Sequence, residues 1–211
     1  MRTLVLIAVV LASTGASGVA RAHMEDMPET LRMTVHVQRH GATLEVLIRT
    51  PLILLTNVGL PLRGEHDVDA VAFYEDDPHV PGDATYAERA SQAVLRAIRI
   101  DAGSTPLPLE AQRVALAPED DAAFTTIDDG VEPVSSSASA AWTATPVHHH
   151  RGYLDILAHA PLPAQTGELA LTPVVGPALA ERLVLEVRER IGASEVRTHV
   201  LDDARGTLRL N

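Results

Sequence analysis

The stretch "TPVHHHRGYLDIL" sets three imidazoles side by side at His148, His149 and His150. If the triplet opens a strand, alternate side chains share a face, and the His148 and His150 rings lie on one side about 6.5 Å apart along the chain. Two ligands of one ion can close that gap. Neutral imidazole nitrogen suits zinc, copper and nickel. The competing reading is a solvated loop, because no further ligand is fixed nearby by sequence and a metal site needs a full ligand set. A second candidate is His23, in "GVARAHMEDM". If the chain is cut after Ala22, the new amino group and the His23 imidazole form a two-nitrogen chelate suited to Cu(II) or Ni(II). Met24, Glu25 and Asp26 follow as further donors. The metal-ligand candidates are therefore His23, His148 and His150, with copper or nickel as the expected ion.

Other chemistry finds little support. There is no G-x-S-x-G, H-E-x-x-H, Walker A or G-x-G-x-x-G pattern, so no catalytic residue is assigned and a non-enzyme is expected. "HDVDAVAFYEDD" has the acidity of a calcium loop, but Val71 and Ala72 occupy the positions where an EF-hand requires an oxygen ligand and a glycine. Glu119, Asp120 and Asp121 read as a solvated loop, as charge runs usually do. His36, His159 and His199 fall on polar strand faces, where exposure is the default. An enzyme built on a copper-binding N-terminal histidine would need another histidine and an axial tyrosine close to His23.

The case for His23 rests on export. Residues 1–22 have a basic start at Arg2, an apolar run "TLVLIAVVLA" and the A-x-A junction Ala20-Arg21-Ala22, the three parts of a cleaved secretory signal. The apolar run is about half of the ~20 residues that a membrane span needs. A periplasmic or otherwise extracytoplasmic chain is expected, with no transmembrane helix after cleavage. About 190 residues then remain, enough for one domain with a real core. No cysteine is present, so that core must hold without disulfides. The formal charge of -11 argues against nucleic acid as a partner, which needs clustered positive charge. Aromatic residues make up only 3%, too few for a base- or sugar-stacking platform.

The elements that must position these residues are mostly strands. In "LRMTVHV", Leu31, Met33, Val35 and Val37 alternate with Arg32, Thr34 and His36. After Gly41, Leu44, Val46 and Ile48 alternate with Glu45 and Arg49, and the two runs read as a hairpin. "PLILLTNVGLPLRG" breaks the alternation and predicts a short buried turn or helical piece followed by a loop. Thr85-Tyr86-Ala87-Glu88 fits a capping box, with Ala87, Ala90, Val94 and Ala97 on one face of a helix over about 85–96. "AIRID", "PLPLEAQRVALA", "GYLDILAHAPL", "ELALTP", "ERLVLEVRERIG" and "EVRTHVLDD" read as further strands. Residues 118–146 read as a long acidic loop with one strand near Phe124–Ile127. The sum is a mainly β chain, an antiparallel β-sandwich with one short helix, forming a single domain over 23–211.

The order of these features resembles the extracytoplasmic N-terminal domain of HupE/UreJ-like bacterial membrane proteins. The points of likeness are Ala22-His23, "MTVHV", "LEVLIRTPL", "VGLPLRG" from Val58 to Gly64, and the capped helix followed by "IRIDAGSTPLP". "RGYLDILAHAPL" and the closing "LVLEVRER" to "VRTHVLDD" pair continue it. The resemblance implies an ectodomain that works beside, or in front of, a multi-helix membrane bundle associated with nickel or cobalt uptake. It supplies no site residue here, since transport in that family runs through the bundle. A membrane-protein partner is the expectation that follows, and a stand-alone copper or nickel carrier using His23 is the alternative.

Overall fold

The structure, a computed structural model, describes residues 28–76, 84–121, 146–164, 167–192 and 195–211. The first alternating run forms β1 (Leu31–His40) and the second β2 (Thr43–Pro51), paired antiparallel from Thr34–Arg49 to His40–Thr43. Gly41 turns the hairpin at φ 61°, a backbone region that glycine enters without a Cβ clash. Next come a 3₁₀ segment (Leu52–Val58), β3 (Leu62–Arg63), β4 (Asp67–Val68) and a short helix (Ala70–Tyr74). The helix Tyr86–Arg96 precedes β5 (Ile98–Ala102), β6 (Thr105–Pro106) and β7 (Glu110–Ala117). The chain then continues through β8 (Val147–His148), β9 (Tyr153–Pro161) and β10 (Leu169–Pro173). A helical turn (Pro177–Ala180) leads to β11 (Leu183–Ile191), β12 (Glu195–Leu201) and β13 (Leu208–Leu210).

These strands make a six-stranded sheet in the order β12-β11-β1-β2-β9-β7, a four-stranded sheet β13-β10-β5-β6 and a small sheet β3-β4-β8. The inward side chains of all three meet in one buried cluster. Leu31, Val35, Val46, Ile48 and Ile156 come from the large sheet, Ile100, Leu169 and Leu171 from the second, and Val68 and Val147 from the third. Each such aliphatic side chain contributes about 1.5–3 kcal/mol on full burial. The fold is the expected mainly β sandwich. Its strand pairs are antiparallel among the described residues except β1 with β11, which run parallel from Leu31–Leu183 to Gln38–Arg190. The long excursion between those two strands permits either direction.

The expected helix is present with its capping box. Thr85 Oγ1 accepts from Glu88 N at 3.0 Å, and Thr85 N donates to Glu88 Oε2 at 2.9 Å. Ala87, Ala90 and Val94 are buried, and the helix packs on β7, β5 and the 3₁₀ segment. The run "ERLVLEVRERIG" is strand over Leu183–Ile191. The short piece expected after Pro51 is the 3₁₀ segment, and the additions to the expected helical elements are the turn Pro177–Ala180 and the helix Ala70–Tyr74. The latter is capped by Asp69, whose Oδ1 accepts from Val71 N and Ala72 N. Residues 1–27, with the signal-like stretch and His23, and residues 122–145, with the strand expected near Phe124–Ile127, lie outside the described residues.

Polar residues that alternation sets opposite the core-facing positions are also inside. His36 is 3% exposed and Arg49 9% exposed. Alternation correctly places each on the face opposite Val35 and Ile48, but that face of the central strands is also covered. Arg49 Nε and Nη2 donate to the two carboxylate oxygens of Asp155 at 2.8 and 2.7 Å, and further bonds reach the Asp121 carbonyl and carboxylate. Asp121 is therefore a counter-ion and not part of a solvated charge run. Burial, the largest influence on Arg49, opposes its charge, but the Asp155 hydrogen bonds and the two carboxylates hold its pKa above the ordinary value.

Candidate metal centre

Two turns, far apart in sequence, meet at the small sheet. β4 pairs antiparallel with β8, setting Asp67 opposite His148 and Val68 opposite Val147. One residue further, the pairing carries His66, in the β3–β4 turn, against His149, in the turn between β8 and β9. His149 N donates to the His66 carbonyl at 2.7 Å, and His149 Nδ1 approaches the same oxygen at 2.9 Å. A carbonyl only accepts, so His149 Nδ1 carries the proton. The lone pair of its Nε2 is then available to a metal, the orientation seen when a ligating imidazole leans on a backbone carbonyl.

The second turn is tight. Gly152 N donates to the His148 carbonyl at 2.6 Å, Arg151 N donates to it at 3.1 Å, and the Gly152 carbonyl receives Leu52 N at 3.0 Å. A Cβ on Gly152 would collide with Val147 Cγ1 and the His148 carbonyl oxygen. Gly152 is thus what allows the histidine turn to fold back onto β8 and still enter β9. β9 is an interior strand of the large sheet, between β2 and β7, and the Arg49–Asp155 pair lies three residues beyond Gly152.

The result is that His66, His149 and His150 each offer a ring nitrogen within 4.8 Å of the others. Metal–nitrogen bonds of about 2.0–2.1 Å put paired ligands roughly 3.3–4.1 Å apart, from tetrahedral to trans placement. Small ring rotations close the difference. The rings of His149 and His150 already approach to 3.9 Å between centroids, and His66 lies 6.1 and 5.8 Å from them. Such a set of neutral nitrogen donors suits Cu(II), Ni(II), Co(II) or Zn(II), and does not suit calcium or magnesium, which take oxygen.

The three candidates read from sequence fare differently. His150 is one of the three converging ligands. His148 lies beside them, its ring stacked 5.5 Å from His66 and 6.0 Å from His149, but its Nδ1 accepts from His150 N at 3.2 Å. The triplet occupies the end of β8 and a turn, so the strand geometry that would put the first and third rings on one face does not apply to it. His23 lies outside the described residues. The sequence reading missed His66 and preferred His148 to His149, because the β4–β8 pairing that joins the turns is a long-range event. The local signal at His66 is limited to its place in a short turn after Gly64, which has φ 77°.

Other histidines are engaged elsewhere. His159 lies 3.3 Å from the Glu45 carboxylate and His199 3.6 Å from that of Glu189, and both rings are partly exposed. A separate cleft of about 700 Å³ opens on the four-stranded sheet beside Thr105, Glu168, Thr207 and Arg209. Its two charged residues pair with each other at 3.2 Å, which leaves the imidazole cluster as the stronger candidate. No protein-family model matches the chain, and no match is found among curated proteins.

Proposed function

We propose that the protein is an exported, non-catalytic β-sandwich that holds one divalent transition-metal ion on His66, His149 and His150 and assists nickel, cobalt or copper handling beside a membrane protein. The observation that carries this reading is the convergence of three imidazole nitrogens within 4.8 Å, with the His149 ring oriented by a contact of its Nδ1 with the His66 carbonyl. Among divalent first-row ions, Cu(II) binds nitrogen sites most tightly, with Ni(II) and Co(II) below it. The ligands sit on two turns, a placement that suits holding and passing on an ion more than enclosing a substrate. No helix among the described residues is long and apolar enough to cross a membrane. The signal-like residues 1–22 support export, and the HupE/UreJ-like order of motifs supports a membrane partner.

Calorimetric titration of the exported protein with Cu(II) and Ni(II) tests the reading. One ion per chain, bound below the micromolar range, is expected, with a loss of roughly tenfold or more in His66→Ala. Failure of the protein to bind either ion in that range would overturn it. Tight binding that ignores His66→Ala would move the site to His23 and favour a stand-alone carrier.

A further inference from the structure

The two ends of the six-stranded sheet are built differently. At one end, β7 is interrupted by a bulge between Ala111 and Arg113, the helix Tyr86–Arg96 packs on it, and Ala115, Leu116 and Ala117 are buried. A bulge or a covering helix keeps a sheet edge from pairing with another chain. At the other end, β12 pairs with β11 in unbroken register from Leu185–Leu201 to Ile191–Glu195. Glu195, Val196, Arg197, Thr198 and Val200 are exposed, the two valines by 52% and 50%. Val196, Thr198 and Val200 share one face of this strand, and all three are β-branched, the residue class that best fits a pleated surface.

The side chains of β12 read alike in both directions about Thr198, as Val196-Arg197-Thr198-His199-Val200. We propose that two copies of this chain join edge to edge through β12, antiparallel and two-fold about Thr198, so that their large sheets become one. A two-fold interface uses the same surface twice and must therefore be self-complementary. In this register Val196 of each chain meets Val200 of the other on one face, and Arg197 meets His199 on the opposite face. The charged groups along the joint have counter-ions within their own chain. Glu195 lies 3.4 Å from Arg197 and Glu189 3.6 Å from His199, while Arg32 and Arg188 both reach Glu186, beside Val200, at 2.6 Å. Sliding the pairing by one step either way parts the valines and sets Arg197 or His199 against its own copy, and like charges directly opposite are unfavourable. The joint uses no residue of the metal centre, so either can fail alone.

The test is sedimentation velocity of the whole exported protein, kept metal-free with a chelator, over a concentration series. A reversible monomer–dimer equilibrium with a dissociation constant of roughly 1 mM or tighter is expected. The double variant Val196→Lys, Val200→Lys changes two exposed side chains, so it is expected to keep its thermal midpoint and to sediment as a monomer, since lysines on an edge strand oppose pairing. The chain has no cysteine, so an introduced thiol reports the register. Opposing residues of an antiparallel pair lie about 4.5–5.5 Å apart at Cα, within disulfide reach. Thr198→Cys is expected to cross-link to its own copy on mild oxidation, and Val196→Cys only when mixed with Val200→Cys. A monomer at every concentration up to that limit would overturn the proposal. A dimer that survives both lysines, or one that does not cross-link through Thr198→Cys, would overturn it as well.

Discussion

The charged pair Arg49–Asp155 fixes the strand from which the histidine turn emerges. The contact is bidentate and buried, with the Arg49 guanidinium also 5.2 Å from the Tyr153 ring centre. Removing one partner of such a pair leaves a buried charge without its main counter-ion. Asp155→Ala is therefore expected to lose roughly 3–5 kcal/mol of stability, whereas an Arg49→Met, Asp155→Leu double variant stays near the wild type. Urea unfolding midpoints measure both. His36 contributes differently. Burial, then the positive charges of Arg188, Arg190 and Arg49, lower its pKa from 6.5 to about 4, against an opposing pull from Glu186. The unfolded chain takes up this proton at a higher pH than the folded one. Stability thus falls as the pH drops from about 6.5 to about 4, by at most roughly 3 kcal/mol at about 1.4 kcal/mol per pKa unit. His36→Gln, which does not titrate, is expected to flatten that part of the stability–pH curve, and an unchanged slope would show that other groups set it.

At the level of elements, the turn His149–Gly152 and its partner around His66 decide whether the ligands meet. Gly152→Ala forces Val147 and the His148 backbone to move, and so is expected to weaken metal binding by more than it weakens the fold. Parallel measurement of copper affinity and thermal midpoint separates the two effects. The strands themselves were legible in the sequence. Leu31, Met33, Val35 and Val37 are all buried, as are Leu44, Val46, Ile48, Leu154, Ile156 and Ala158, because a period of two records which face meets the core. The capping box was equally plain, since its two hydrogen bonds join residues three apart. What alternation could not record is whether the opposite face is also covered, which is why His36, set on the right side of its strand, was expected to be exposed, and why Arg49 on that side is buried as well. The parallel β1–β11 pairing and the β4–β8 pairing were beyond local reading for a related reason, as they join segments separated by most or much of the chain.

On the scale of the whole molecule, the site ties together turns that are 83 residues apart. An ion that binds only the folded chain stabilises it by mass action, about 2.7 kcal/mol when free ligand is at a hundred times its dissociation constant. Copper is accordingly expected to raise the melting midpoint of the wild type and to leave that of His66→Ala nearly unchanged. Coordination requires deprotonated imidazoles, so the stabilisation is expected to disappear on acidification. The sequence pointed to the histidine triplet but not to this closure, since one of the three ligands, His66, becomes its neighbour only after the small sheet forms. The most direct test of the three-imidazole centre is a count of the nitrogens around copper. Pulsed electron paramagnetic resonance of the one-copper protein is expected to resolve three chain imidazoles, falling to fewer in His66→Ala. A signal from a single imidazole with an amine, unchanged in that variant, would contradict the account and place the ion at the amino terminus.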